Sequence, residues 1–284
     1  MSLFKKALLF TDIHFGLKSN SLVHNQDCEA FVEWAIKLAK EQGCETGFFL
    51  GDWHHHRASL NLQTLNFSLR SLERLSRAFD KFYFIPGNHD LYYRDKRDIH
   101  GAEWARHIPN IEIINDWFTD SDVTICPWLV GDDYKKIPKL RSKYVFGHFE
   151  LPHFKMNAMV EMPDHGELKV EHFGGVEQVY SGHFHLRQKK GNINYIGNCF
   201  PHNFADAGDD QRGGRRRVES GDAGPWCVCG AGVGDWVVFR VAQHTRRGVQ
   251  LLRLRRGRSR IRAESRSPRG GRDPVARALE GFES

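Results

Sequence analysis

Apolar and polar residues follow one another along the first 90 positions in an order that predicts strand, helix, strand, helix, strand. Three short apolar runs have the length and composition of buried strands, and two longer segments between them carry apolar residues at helical spacing. The predicted strands are 7–10, 46–50 and 82–85, and the predicted helices are 27–40 and 60–79. Gly43 supplies a stop signal for the first helix. This order is typical of an open α/β layer.

The middle of the chain is richer in short apolar runs. Strands are predicted at 111–114, 123–126, 144–146 and 176–180, and a hairpin at 187–197 that turns at Lys190-Gly191. Between them, 151–170 is predicted to be an inserted loop or a short helix. We therefore expect an α/β (α+β) fold in which two packed mixed sheets are flanked by helices.

The last quarter of the chain has a different composition. Residues 1–212 hold 15 Lys and 10 Arg against 28 acidic residues, a net charge of −3. Residues 213–284 hold 16 Arg, no Lys and 7 acidic residues, a net charge of +9. The overall charge of +6 and the pI of 9.0 come from this part alone, so they give no evidence that residues 1–212 bind nucleic acid.

Two interpretations of this Arg- and Gly-rich part stay open. It is an arginine-rich tail that grips nucleic acid, or it is the product of a GC-rich gene translated in a shifted frame. The absence of Lys favours the second interpretation, which reading the other two frames of the gene would test. We expect residues 1–212 to form the catalytic domain and 213–284 to be an anomalous tail, either disordered or frame-shifted.

Cysteine usage and hydropathy indicate where in the cell the protein is expected. The chain has six Cys, none in a CxxC pair, and Cys227 and Cys229 have no His or Cys cluster nearby, which disfavours a zinc knuckle. The N-terminus does not resemble a signal peptide, and no apolar run approaches the roughly 18 residues of a membrane span. We expect no membrane association and a cytoplasmic location, the host cytoplasm if the protein is viral.

Five polar clusters each follow a predicted strand. They are Asp12-Ile13-His14, Gly51-Asp52, Gly87-Asn88-His89-Asp90, Gly147-His148 and Gly182-His183-Phe184-His185. Any one of them occurs by chance in many chains, and a lone His is more often a core or surface residue. Together they indicate a site, because parallel strands bring their carboxyl ends to one edge of a layer.

The residue types of these clusters suit a pair of divalent cations. Phosphodiester hydrolysis needs an activated water and a stabilised leaving oxygen, which two ions about 4 Å apart supply together. A carboxylate that bridges the ions and neutral imidazoles on each ion meet that need. Oxygen and nitrogen ligands without thiolate favour Mn, with Fe, Zn or Mg as alternatives.

These motifs make residues 7–206 similar to the calcineurin-like metallophosphoesterase superfamily, and within it to SbcD-type nucleases and bacteriophage recombination endonucleases. The resemblance implies a four-layer sandwich. It implies that one ion is held by Asp12, His14 and His185, the other by Asn88, His148 and His183, with Asp52 bridging. It also implies that His89 assists the transition state or the leaving group, with His55 as its partner. The alternative for His55 is that it is simply one of the three loop histidines at 54–56.

Two stretches favour the nuclease branch. Residues 51–57 read Gly-Asp-Trp-His-His-His-Arg, where related protein phosphatases carry Gly-Asp-x-Val-Asp-Arg-Gly, and Asp90 stands where those phosphatases carry Glu. Residues 195–204 are similar to the Tyr-x-Gly-Ser…Ser-Phe stretch of SbcD-type nucleases, with Asn198 and Asn203 in place of the two Ser. A DNA exo- or endonuclease is therefore expected; a small-molecule phosphodiesterase or phosphatase, or an inactive truncated product, stays open.

Aromatic and basic residues flank the motifs and are candidates for DNA contact by stacking or by phosphate binding. They are Trp53, Arg57, Tyr92 and Arg94, together with Tyr93 and Phe184. The alternative for Trp53 and Phe184 is that they only pack the motif loops. The resemblance also implies an SbcC-type coiled-coil ATPase as partner, in a two-plus-two assembly that includes a homodimer. In such proteins the segment that binds the ATPase follows the catalytic domain. In this chain that region is the anomalous tail.

Overall fold

A computed structural model describes residues 3–157, 159–202 and 226–229. Five strands form the first sheet: β1 (Lys6–Phe10), β2 (Thr46–Phe49), β3 (Lys81–Phe84), β4 (Ile111–Ile113) and β11 (Trp226–Cys229). Their order is β11-β1-β2-β3-β4. The pairs from β1 to β4 are parallel, whereas β11 is antiparallel to β1.

Six strands form the second sheet: β5 (Phe118–Asp120), β6 (Val123–Ile125), β7 (Tyr144–Gly147), β8 (Gln178–Ser181), β9 (Gln188–Lys190) and β10 (Ile193–Tyr195). Their order is β5-β6-β7-β8-β10-β9. The four central strands are parallel, and β5 and β9 add antiparallel edges. The hairpin predicted at 187–197 is confirmed as β9 and β10.

Helices connect the strands of the first sheet. They are α1 (Leu17–Asn20), α2 (Leu22–Gln42) and α3 (Leu62–Ala78), together with a 3-10 helix at Glu103–His107. Two more 3-10 helices, Gly131–Lys139 and Val170–Phe173, lie between strands of the second sheet. Helix α2 begins five residues before the predicted start, because the Ser21 side chain caps it by accepting from the His24 N–H. It ends at Gly43 in the left-handed conformation, as the stop signal predicted.

Alternating side chains of each sheet face two different layers. On β1, Leu8 and Phe10 join the core beneath α2 and α3, whereas Ala7 and Leu9 join the core between the sheets. In the second sheet the outer residues, such as Val145 of β7, pack under the loop and the 3-10 helices. The prediction of two packed mixed sheets flanked by helices is confirmed, and the outer layer of the second sheet uses 3-10 turns.

The remaining predictions fall on loops and on the C-terminal part. Residues 151–157 and 159–169 form a loop closed by a bridge between Lys155 and Glu161, so the loop alternative holds for the described residues. Apart from β11, residues 213–284 lie outside the described residues, and the boundary at 212 stays a prediction. Among the described residues no helix combines the length and apolarity needed to cross a bilayer.

Candidate active site

The motif residues meet because the parallel strands of both sheets end at a common edge. The loops after β1 and β2 run side by side, with the Asp12 N–H donating to the Gly51 carbonyl at 2.9 Å. The two sheets join at the same edge, where the His183 N–H donates to Asp12 Oδ2 at 3.1 Å. The expectation that these clusters share one edge is confirmed by the geometry.

The first group of side chains comprises Asp12, His14 and His185. His14 Nε2 and His185 Nε2 each lie 3.9 Å from Asp12 Oδ1. One ligand atom from each of the three residues lies within 4.8 Å of the others. Asp12 and His14 are buried, and His185 is half-buried.

The second group comprises Asp52, His148 and His183, with Asn88 at its centre. Asn88 Oδ1 lies 3.1 Å from His148 Nε2 and 3.0 Å from His183 Nδ1. His148 Nδ1 donates to the Leu50 carbonyl at 2.6 Å, which leaves Nε2 as the nitrogen turned to Asn88 and Asp52. The Leu50 carbonyl thus fixes the orientation of the ring.

Asp52 lies between the two groups. Its Oδ2 is 3.7 Å from His14 Nε2 of the first group and 3.5 Å from His148 Nε2 of the second. Its Oδ1 accepts the His89 N–H at 2.8 Å. One carboxylate therefore faces the histidines of both groups.

Glycines let the motif loops approach this closely. A Cβ on Gly51, whose φ is +106°, would lie 2.2 Å from His148 Nδ1. A Cβ on Gly87 would lie 2.3 Å from the Asp52 amide nitrogen. Asp12, His14, Asp52 and His183 themselves have positive φ values between 52° and 87°. Strained backbone of this kind gathers at functional sites.

The unpartnered polar atoms at the site fit divalent cations. Asp12 Oδ1 and both ring nitrogens of His14 are buried without a hydrogen-bond partner. Burial raises the pKa of the Asp12 carboxyl and lowers that of His14 well below its usual value, since a charge there is poorly solvated. A buried polar group without a partner is costly, and a cation bound by these atoms would satisfy them.

The charges of Asp52 and His148 stabilise each other. Burial acts to lower the pKa of His148, but the Asp52 carboxylate raises it to about 9. Burial likewise acts to raise the pKa of Asp52, and the attraction of His148 brings it well below the usual value. A carboxylate at Asp52 is therefore present throughout the neutral range, as a cation ligand requires.

His55 and His89 border a cleft beside the first group. The cleft has a volume of about 340 Å³ and is lined by His14, Leu17, Lys18, His55, His89, His185 and His202. The His89 Nδ1–H donates to the His55 carbonyl at 2.9 Å, and the two rings stack with centroids 5.3 Å apart. Burial lowers the pKa of His55 to about 4, so its imidazole is neutral at neutral pH.

Three residues that support the motif loops were not singled out in the sequence. His202 Nε2 donates to the Asp12 carbonyl at 2.8 Å, and His24 Nε2 donates to the His14 carbonyl at 3.0 Å. Glu150 Oε1 lies 3.5 Å from His183 Nε2. His24 belongs to no motif, His202 lies within the 195–204 stretch but is not one of the residues that carry its resemblance, and Glu150 stands two residues after His148.

The candidate substrate contacts separate into two kinds. Trp53 is fully buried in the helix–sheet core, where its Nε1–H donates to Ser68 Oγ at 2.7 Å, and Phe184 is 2 % exposed. Substrate contact by these two rings is therefore wrong, and packing of the motif loops is their role. Tyr92, Tyr93 and Arg94 are exposed and Arg57 is half-buried, so they stay candidates.

The fold and the convergent His and Asp side chains define a phosphoesterase. Residues 5–187 match the model of the family described as calcineurin-like phosphoesterase. The chain belongs to this family, as the motifs predicted.

Among individual proteins, exonuclease subunit 1 of Enterobacteria phage T4 is 26 % identical over 214 residues, which are 72 % of this chain and 62 % of that protein. The chain thus spans less than two thirds of that relative. A nuclease from Pseudomonas putida (20 % identity, 66 % of each chain, TM-score 0.33) is a similar solved structure. A phosphoesterase from E. coli is another (15 % identity, 84 % of this chain and 92 % of that chain, TM-score 0.40).

Proposed function

We propose that this protein is a metal-dependent deoxyribonuclease that hydrolyses DNA phosphodiesters as an exo- or endonuclease in recombination or repair. The observation that carries the proposal is the position of Asp52, whose Oδ2 faces the first group at 3.7 Å and the second at 3.5 Å. A pair of divalent cations sharing one carboxylate is the arrangement that phosphodiester hydrolysis uses.

The proposed ligands follow the two groups. Asp12, His14 and His185 would hold one cation, Asn88, His148 and His183 the other, and Asp52 would bridge them. Mn is the proposed metal, because imidazole and carboxylate ligands without thiolate suit it; Fe, Zn or Mg are alternatives. When bound, the cations would supply Lewis-acid activation of water and neutralise charge on the phosphate.

His89 is the residue that would transfer a proton to the leaving group. The His55 carbonyl accepts from His89 Nδ1–H and so fixes the ring, leaving Nε2 to exchange a proton with the leaving oxygen. His89 is half-buried in the wall of the cleft, within reach of solvent and substrate. The neutral, stacked ring of His55 would hold His89 in place without adding charge beside it.

DNA is the proposed substrate because of the sequence likeness to exonuclease subunit 1 of phage T4. Lys18 in the cleft and Arg57, Tyr92 and Arg94 near the motif loops would contact phosphates or bases. Residues 1–212 carry a net charge of −3, so affinity for DNA would come from these local groups or from a partner.

The proposed assembly is a pair of these chains with a coiled-coil ATPase of the SbcC type. The phage relative is a subunit of an exonuclease by name, which supports a partner for this chain as well. The proposed location is the cytoplasm, of a host cell if the protein is viral. Co-purification of the full chain with an SbcC-type ATPase tests the partnership, and the mass of the complex from light scattering tests the two-plus-two stoichiometry. A monomer that does not bind the ATPase would refute the proposed assembly.

A Mn-dependent nuclease assay of the wild type beside Asp52→Ala tests the activity. The proposal expects cleavage of DNA by the wild type and its loss in the variant. Equal cleavage by both would refute the role of the metal centre. A folded, metal-loaded wild type that hydrolyses a chromogenic phosphodiester but not DNA would favour the small-molecule phosphodiesterase instead.

A further inference from the structure

A second cavity is lined in part by His148. It has a volume of about 110 Å³, and Trp128, Tyr134, Glu150, Glu167 and Leu168 contribute to its walls. The cleft that holds His55 and His89 shares none of these residues. The cavity therefore adjoins the second ligand group and is separate from the proposed proton-transfer cleft.

The walls of this cavity are unsuited to a phosphate. Among the described residues that line it are two glutamates, and there is neither a Lys nor an Arg. A phosphate would be repelled by Glu150 and Glu167, which are both exposed to solvent. Apart from His148, which belongs to the second ligand group, aromatic and aliphatic side chains supply the rest of the surface, so a flat, uncharged group is the occupant that this lining favours.

The backbone of Trp128, one of the residues that line the cavity, is held in place by a hydrogen bond. Arg97 Nη1 donates to the Trp128 carbonyl at 2.7 Å and also pairs with Asp133. The indole lies with its centroid 5.7 Å from the ring of His148 and 5.5 Å from that of His183. A half-buried indole fixed beside two candidate ligands is placed to stack on a ring attached to a phosphate at the centre.

The geometry points to a nucleobase subsite in this cavity, formed by Trp128 as the stacking platform and by the two glutamates as hydrogen-bond acceptors. The inference rests on the proposed function and adds to it the position of the nucleotide beside the scissile phosphate. Glutamate accepts from the exocyclic amino group of cytosine, whereas the corresponding O4 of thymine is an acceptor. The subsite would therefore prefer cytosine to thymine.

Titration calorimetry of the Mn-loaded full chain tests the subsite by direct binding. The ligands are the 5′- and 3′-monophosphates of deoxycytidine and thymidine, and deoxyribose 5-phosphate, which lacks a base. At least one deoxycytidine isomer is expected to bind about 5- to 100-fold more tightly than deoxyribose 5-phosphate, the range of one base stacked on an aromatic ring. The isomer that binds also gives the direction of the strand.

Variants separate stacking from hydrogen bonding. Trp128→Ala is expected to remove the advantage of the base, and Trp128→Phe to retain most of it. Glu167→Gln is expected to bring the Kd values for deoxycytidine and thymidine monophosphates together. Glu171→Gln removes the same charge from an exposed position outside the cavity lining, and is expected to keep the wild-type preference.

Equal affinity of the wild type for deoxyribose 5-phosphate and for all four nucleotides would overturn the subsite. So would an equal loss for every ligand in Trp128→Ala, since that would indicate damage to the metal centre. The wild-type comparison decides the question even if Trp128→Ala does not fold. If the chain fails to cleave DNA, the proposed function fails, while these binding constants still test the subsite.

Discussion

The carboxylate of Asp90 accepts a hydrogen bond from the backbone N–H of His54 at 2.8 Å, across 36 positions of the chain. It also accepts from the N–H groups of Trp53 and Gly87. One buried side chain thus joins the loop that carries Asp52 to the loop that carries Asn88 and His89.

Removing this side chain is expected to loosen both loops. Asp90→Ala leaves three buried N–H donors without an acceptor, which we expect to lower the free energy of unfolding by at least about 3 kcal/mol. Phosphodiesterase activity should fall as the ligands lose their positions. Urea denaturation and a chromogenic assay measure the two effects. Asp80→Ala, at an exposed position before β3, is the control, and equal stability of the two variants would contradict the prediction.

Acid is expected to destabilise the metal-free protein through His54. Burial lowers the pKa of this ring to about 3, whereas an unfolded chain binds the proton near its ordinary value of 6.5. The unfolded state therefore binds more protons between these values, and stability falls as the pH is lowered through 6.5 towards 3. The loss between about pH 7.5 and 5 is about 2 kcal/mol for this residue. His55, with a pKa of about 4, adds to it in the same direction.

Comparing the free energy of unfolding at these two pH values, in the wild type and in His54→Gln, measures that contribution. The variant is expected to lose less stability on acidification, because it lacks the titrating ring. An acid sensitivity equal to that of the wild type would argue against a buried neutral His54.

Metal content is expected to depend on Asp52 more than on any exposed carboxylate. The wild type should bind two divalent ions per chain, and each ion present at about 100 times its Kd should stabilise it by about 2.7 kcal/mol. Asp52→Asn should bind fewer than two, because this carboxylate faces both groups. Elemental analysis of the dialysed protein measures the metal content, and its Tm with and without chelator measures the stabilisation by metal. Asp80→Asn serves as the control, and full metal content in Asp52→Asn would contradict the bridging role.

His89 is expected to act on the rate and not on metal binding. His89→Asn should lower kcat by about 10²- to 10⁴-fold, the usual effect of a lost acid–base group, with the metal content unchanged. The exposed neighbour His56 offers a matched control, since it does not line the cleft. Loss of metal from His89→Asn would indicate that His89 is a metal ligand. An equal loss of rate in His56→Ala would contradict a specific role of His89 in proton transfer.

Most strands were predictable because their side chains alternate between two apolar layers. Leu8 and Leu9 are both apolar but belong to different cores, which produces the continuous runs of buried parallel strands. Strand β5 was missed, since Thr119 and Asp120 are exposed on a short edge strand. The start of α2 was missed because Leu22 and Val23 lie at the surface and do not follow the apolar stripe.

The site was predictable only where its residues form motifs at strand ends. The ligand clusters have this property, because strand direction alone brings them to one edge. His24 and His202 support the same site through the carbonyls of His14 and Asp12. His24 lies in no motif, and His202 lies in the 195–204 stretch without being one of the residues that carry its resemblance. Trp53 was misjudged because its neighbours in sequence are functional, whereas its ring turns to the opposite side of the loop and into the core.

The contact between His183 and Asp12 joins residues 171 positions apart, and it closes the site between the two sheets. Asp12, Asp52 and Asn88 follow strands of the first sheet, whereas His148 and His183 follow strands of the second. A chain cut before β8 would hold five of the seven proposed ligands and would lack His183 and His185. The centre therefore needs strands from both sheets, and β8 is the last strand whose placement it requires.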